Sequence, residues 1–197
     1  MIPEHSPRLM LATLAVIVAG CASTPEAVVA EAGRTPEQMY ALVRAAAGQD
    51  ERELNVQPLR DPQVEDLRAS GMAALSQRQL DVAATDLQKA LEITPEDPAV
   101  LQENAELALL QGNLPLAESL AGKAVDLGSA VGPLCRRHWE TIRQVRQKQL
   151  DVASVVPPRE KDTAAAERTA RIAVLKAGVT DASRQFDACT VAGLNRY

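Results

Sequence analysis

The residues of this 197-residue chain best equipped for chemistry are three cysteines, Cys21, Cys135 and Cys189, and the histidine His138. Their spacing restricts what they can do. No set of His and Cys falls at the intervals that hold zinc, and neither a Gly-x-Gly-x-x-Gly turn nor a phosphate-binding P-loop occurs. The neighbouring acids Glu65-Asp66 and Glu96-Asp97 are adjacent in sequence, the arrangement of solvated surface or helix caps rather than of an acid–base pair. His138 stands beside Trp139 on an apolar stripe and reads as a polar edge residue of an amphipathic helix; a functional histidine is the alternative. Thiol chemistry therefore leads. No metal, cofactor or catalytic set is expected, and the chain reads as a non-enzyme with no small-molecule substrate evident.

The setting of Cys21 is informative. Arg8 precedes a run from Leu9 to Ala19 that is apolar but for Thr13, followed by Gly20 and Cys21. At 1.5 Å per residue such a run spans only about 16 Å, roughly half a bilayer core, so it is too short for a transmembrane helix. A basic residue, an apolar stretch and small residues before a cut site describe an export signal over residues 1–20. The ending Val18-Ala19-Gly20-Cys21 resembles the lipobox of bacterial lipoproteins. That resemblance implies cleavage before Cys21, acylation of its sulfur and its new amine, and a membrane anchor. Ala22 after the cysteine, in place of aspartate, implies an outer-membrane address in enteric bacteria. An exported chain meets an oxidising compartment, where Cys135 and Cys189 either form a disulfide or stay as two buried thiols. Closing that loop of about 55 residues would stabilise the fold by roughly 4 kcal/mol.

Composition points to helices. Apolar residues make up 46% of the chain but aromatics only 2%, and alanine is abundant. Stretches that alternate with period two are few, so the reading is all-α. The net charge of −5 and the shortage of aromatics disfavour nucleic acid. Charge is uneven: 12 acidic and 4 basic residues lie between Asp61 and Ser129, whereas Leu134 to Lys148 holds five basic and one acidic. This is either solvated surface or a contact face for a charged partner.

Residues 21–34 are small, polar and aperiodic, as in a flexible tether. Thr35, Pro36 and Gln38 have the form of a helix start, and residues 35–60 read as an N-terminal helix, stopped at Gly48, and a linker. Over residues 61–129 a pattern recurs. Leu67, Gly71, Ala74, Ala83, Leu87, Ala90 and Pro95 are followed 34 positions later by Leu101, Ala105, Ala108, Ala117, Ala121, Ala124 and Ser129. Asp61-Pro62 and Asp97-Pro98 are each a cap followed by a first helical residue, and Gly112-Asn113 breaks the second hairpin. Small residues at Gly71, Ala74 and Ala83 let paired helices approach, while Leu67, Leu87 and Leu91 fill the gaps. This spacing resembles the tetratricopeptide repeat, a helix–turn–helix unit, and implies a short α-solenoid of two such hairpins.

A third, degenerate capping repeat is expected over 130–157. The tract Gln79-Leu80-Asp81-Val82-Ala83 returns unchanged as Gln149-Leu150-Asp151-Val152-Ala153, behind a helix with an apolar stripe of Cys135, Trp139, Ile142 and Val145. Its basic residues Arg136, Arg137, Arg143 and Lys148 lie away from that stripe, and Pro157-Pro158 stops the second arm. Residues 158–197 form a helical tail: a helix from Asp162 to Ala177 ended by Gly178, then a short helix capped by Asp181 and carrying Phe186 and Cys189.

Repeats of this family usually present a concave groove lined by the first helix of each hairpin. By that resemblance the groove here would display Glu65, Arg68, Met72, Leu75 and Ser76, then Ala99, Gln102, Glu106, Leu109 and Leu110, the last two reading equally as core. Such a mixture suits an amphipathic helix or an extended peptide. The expected function is a lipid-anchored, periplasm-facing adaptor or scaffold for a protein partner, accessory to envelope assembly or secretion. The alternatives are a self-associating structural or cell-wall-associated lipoprotein, and a small envelope enzyme or enzyme subunit.

Overall fold

A computed structural model describes residues 32–48 and 59–190. The expected export signal over 1–20, Cys21, most of the expected tether, the core of the expected 35–60 linker and the last seven residues lie outside the described residues. Among the described residues there are seven α-helices and no strand. They are α1 (Pro36–Ala45), α2 (Pro62–Ser76), α3 (Leu80–Ile93), α4 (Pro98–Leu110), α5 (Leu114–Leu127), α6 (Pro133–Ser154) and α7 (Asp162–Ala188). Successive helices pack in pairs, α2 with α3, α4 with α5 and α6 with α7, giving an all-α, solenoid-like stack.

The caps follow from residue type. The Thr35 hydroxyl accepts from the Gln38 amide at 3.3 Å, and the Gln38 side chain accepts from the Thr35 amide at 3.0 Å, a complete capping box. Asp61 and Asp97 each accept from a backbone amide two residues on, at 2.8 Å, with proline as the first helical residue in both.

The two hairpin turns share three backbone hydrogen bonds at matching positions. Gln77 N–H donates to Ala73 O, and Gln111 N–H, 34 positions later, donates to Leu107 O. Arg78 and Gly112 donate to Leu75 O and Leu109 O, while Gln79 and Asn113 reach back to Ala74 O and Ala108 O at 2.9 and 2.8 Å. Both turns need a left-handed residue, φ 61° at Arg78 and 72° at Gly112. Arginine tolerates that strain at a site where its guanidinium lies 5.2 Å from the Tyr40 ring.

Helix α4 lies at the centre, with every residue from Ala99 to Leu110 buried. Being covered all round, it shows little amphipathicity. On one side it meets α3 and α5, and on the other α1 and α6. A cluster of Met39, Val43, Ala108, Leu109, Ala117 and Val145 joins four of these helices. A second cluster sets Tyr40 against Leu75, Leu87, Leu107 and Leu110.

Three boundaries differ from the sequence expectation. The Gln149–Ala153 tract does not open a second arm, because it lies inside the single helix α6. At its first copy the left-handed Arg78 breaks the chain just ahead of Gln79; at its second, Gln147 and Lys148 stay helical, and Gln147 Nε2 donates to Asp151 Oδ1 at 2.7 Å. Pro157-Pro158 therefore ends α6, and the expected degenerate hairpin is instead the long antiparallel pair α6–α7. Gly178 does not end a helix, nor does Asp181 cap one, since α7 runs unbroken to Ala188. Gly178 serves close packing: a Cβ there would lie 3.3 Å from Arg146 Cδ, and its carbonyl accepts from Arg146 Nη1 at 3.1 Å. Lastly, the end of the expected tether is docked on α6. Lys148 Nζ donates to Ala32 O, and Arg34 Nη1 donates to Gln144 Oε1 at 3.3 Å.

Candidate partner-binding face

The residues expected to line a groove split into two groups. Glu65 and Arg68 on α2 reach the surface unequally, Glu65 with 45% of its side chain exposed and Arg68 with 14%. Arg68 grips Glu103 with both arms at 2.8 and 2.6 Å and also reaches Glu65 at 2.8 Å, while Arg60 bonds Glu65 at 3.2 Å and Asp97 in a fork. Met72 is half-buried against the Tyr40 cluster. Of the other expected groove residues Ser76 is exposed, whereas Leu75, Gln102, Glu106 and Leu109 have no exposed surface and Ala99 and Leu110 are also buried. This corrects the expectation of an open groove across both hairpins. The reason is the chain's own α1, whose Met39, Tyr40 and Val43 form an apolar stripe that must be covered. It is covered by the face between α4 and α6.

That face also holds a polar network. Glu106 Oε1 accepts from Arg137 at 2.9 and 2.5 Å and from Gln102 Nε2 at 3.0 Å, and Glu106 Oε2 lies 3.5 Å from Arg44. Gln102 Nε2 also donates to Thr141 Oγ1 at 2.9 Å, and Thr141 in turn donates to Arg137 O at 2.9 Å. Gln102 Oε1 sits 2.7 Å from His138 Nδ1. Every buried charge here has a partner, as the low-dielectric interior demands.

The tautomer of His138 follows from this network. Both N–H groups of Gln102 are committed to Glu106 and Thr141, so its oxygen faces the ring and Nδ1 must carry the proton. A flipped amide would set oxygen against carboxylate. Burial, then the nearby Arg137 charge, pushes the His138 pKa down to about 3, so the ring is neutral. The expectation of an edge position fails, because only 1% of His138 is exposed. Its signal in the sequence was indirect: Gln102 and Glu106 sit in a largely apolar helix, and such residues require partners.

Other ionisable groups follow their surroundings. Burial holds the Glu103 carboxyl above the ordinary range while Arg68 pulls it the other way, and the bonds to Glu103 raise Arg68 despite its own burial. Burial would raise Asp97 too, but hydrogen bonds from Arg60 and from the α4 amides hold it below its usual value.

Part of the uneven charge is paired within the fold, while Asp61, Asp66, Asp81, Glu92, Glu96 and Asp126 stay exposed. The acidic repeats meet basic α6 through Glu106–Arg137 and through Glu118–Arg146 at 2.7 Å. Arg136 donates to Ala46 O and Ala47 O at 3.1 and 2.6 Å, satisfying the end of α1, and Arg143 forks onto Glu140 at 2.7 Å.

A disulfide joins Cys135 near the start of α6 to Cys189 at the end of α7, with Cα atoms 5.7 Å apart. Gly132 N–H donates to Cys189 O at 2.8 Å beside it. Among the described residues no three His, Cys, Asp or Glu side chains converge as metal ligands, and no helix is long and apolar enough to cross a membrane.

Two concavities remain open. A furrow of about 640 Å³ runs between α3 and α5, lined by Ala84, Leu91, Leu116 and Leu120 with Lys89 and Glu92, and by buried Asn104, Leu107 and Ala108 of α4. A cavity of about 380 Å³ lies beside the disulfide, with His138 and Trp139 in its wall. Comparison of the chain with protein-family models, with curated proteins and with solved structures finds no match.

Proposed function

We propose that this chain is a non-enzymatic adaptor of the bacterial envelope, moored to the outer membrane through lipidated Cys21 and offering a stack of tetratricopeptide-like hairpins to a protein partner in the periplasm. The observation that carries the reading is the set of three backbone hydrogen bonds that the two hairpin turns share 34 positions apart, the spacing of that repeat. The lipobox-like Val18–Cys21 supports the anchor. With the concave side filled by α1, the surface offered to a partner is the α3–α5 furrow, whose apolar and charged lining suits a helix or extended segment.

Site-specific photo-crosslinking in intact cells tests this reading. A crosslinker at Leu116 in the furrow should capture one discrete protein, whereas one at exposed Val174 on α7 should not. Capture of a second copy of the chain would favour self-association, and no product at Leu116 would sink the furrow assignment. Cys21→Ser should abolish labelling by fatty acid and release the chain from the membrane fraction. Retention there would sink the anchor.

A further inference from the structure

The far end of the α6–α7 pair stands clear of the repeat stack. After Val145 no residue of α6 is fully buried, and before Ala182 none of α7 is. The tip of this end is the turn over residues 155–161. Val156 is 60% exposed there, Pro157 and Pro158 are exposed, and Arg159 takes a left-handed φ of 64°. Two prolines fix the backbone of this apolar tip, so little freedom is lost when something covers it.

Its charge differs from that of the rest of the chain. Between Gln147 and Ala177 there are six basic and four acidic side chains, a balance of +2 in a chain whose net charge is −5. Glu160 in the turn is held by a fork from Arg168, both arms at 2.9 Å. Arg159, Lys161, Arg171 and Lys176 are exposed and have no ion pair among the described residues, while the exposed acids are Asp162 and Glu167. A basic pole on an acidic chain is an electrostatic footprint for an anionic surface.

The N-terminal segment arrives at the same end. Lys148 Nζ donates to Ala32 O, and Gly33 lies so close to α6 that a Cβ on it would stand 2.8 Å from Asp151 Cβ. Lys148 and Asp151 fall within about the last two turns of α6, which ends at Ser154. Cys21 lies eleven positions before Ala32, a stretch that spans at most about 40 Å. Helix α6 is itself about 33 Å long. With its opposite end down, the docked segment would stand most of that length above a membrane and leave the tether almost taut.

We propose that this free end of the α6–α7 pair rests on the anionic phospholipid surface of the membrane that holds Cys21. Val156, Pro157 and Pro158 enter the headgroup layer, and Arg159 and Lys161 meet lipid phosphates. The proposal rests on the anchor in the function proposed above. It adds an orientation: the disulfide end of the pair points away from the bilayer.

The test supplies the mooring chemically, so its outcome is separate from whether cells acylate Cys21. The chain from Cys21 onward, disulfide intact, is coupled through the Cys21 thiol to a maleimide lipid. The vesicles contain phosphatidylethanolamine and phosphatidylglycerol with brominated acyl chains, which quench tryptophan on contact. Val156→Trp at the tip is compared with Leu127→Trp at the exposed end of α5, against the Trp139 background. Both positions are exposed, so circular dichroism should match the parent. The tip tryptophan should be quenched at least about twice as strongly, and the excess should vanish near 1 M salt, where charges are screened beyond about 3 Å. Each basic residue adds about fivefold to such an association, so Arg159→Glu with Lys161→Glu should weaken vesicle binding of the uncoupled chain at least about tenfold. Equal quenching at the two positions would overturn the proposal. So would an excess that survives salt or neutral phosphatidylcholine vesicles, or vesicle binding indifferent to the charge reversal.

Discussion

Gly71 on α2 and Leu87 on α3 occupy one another's space: a Cβ built on the glycine would lie 2.7 Å from Leu87 Cγ and 2.8 Å from its Cδ2. Thirty-four positions on, the same pair is Ala105 and Ala121, both fully buried. Volume is thus traded between partners, glycine with leucine in one hairpin and alanine with alanine in the other. Gly71→Ala should destabilise the fold by about 1–3 kcal/mol, as overpacking does, although alanine is the better helix former. Adding Leu87→Ala should relieve the clash, so the double-mutant cycle in denaturant should show a coupling of at least about 1 kcal/mol. Additive effects would mean that the helices simply move apart.

The matching turns separate backbone strain from packing. Nothing lies within 4 Å of a Cβ built on Gly112, so Gly112→Ala introduces left-handed strain alone and should cost about 1 kcal/mol of unfolding free energy. Arg78→Gly relieves the same strain but loses the contact with the Tyr40 ring, and these offset to within about 1 kcal/mol. Urea midpoints of the two variants measure both.

His138 makes stability depend on pH. Folded, its pKa is pushed down to about 3; unfolded, it takes the ordinary value near 6.5. The unfolded chain therefore binds more protons between these values. Stability from this group is complete above pH 6.5 and is lost as the pH falls, with a slope approaching about 1.4 kcal/mol per pH unit. Denaturant midpoints from pH 7 to 5 should fall accordingly. His138→Leu, whatever its absolute stability, should lack that slope, and a slope that persists in the variant would assign it to other groups.

Reduction of Cys135–Cys189 should cost about 2–4 kcal/mol, the range for a loop with a sequence separation of 54. Labelling of the unfolded, unreduced chain should find neither thiol reactive. Hydrogen exchange should report the loss first at the ends of α6 and α7 that the bond ties together. Uniform loosening of all helices would show that the link holds more than this pair.

Removing the α1 anchor probes the filled face. Met39→Ala deletes a fully buried side chain packed with Leu109 and Val145, and should cost about 2–5 kcal/mol if α1 folds with the rest. If α1 instead detaches as a unit, global unfolding changes little while its amides and that of Leu109 exchange faster. Loss of the Arg136 bonds to Ala46 and Ala47 in the same step would mark the second case.

The legible part of this protein was whatever depends on neighbours in sequence. Helix starts at Thr35, Asp61 and Asp97 are set by side chains that reach two or three residues along. The alternation of small and large residues at Gly71, Ala74, Ala83 and Leu87 follows from the contact of two helices joined by a tight turn. Tertiary structure decided which faces meet beyond one hairpin. An apolar stripe such as Met39–Val43 states that a helix must be covered, but not by what, because burial is favourable against any apolar surface of matching shape. The identical tracts at Gln79 and Gln149 make the same point: one opens a helix behind a left-handed Arg78, and the other continues α6. Glu106, Gln102 and His138 likewise announced polar groups in need of partners. Only the approach of α6 to α4 paired them, and left one imidazole nitrogen buried without a partner among the described residues.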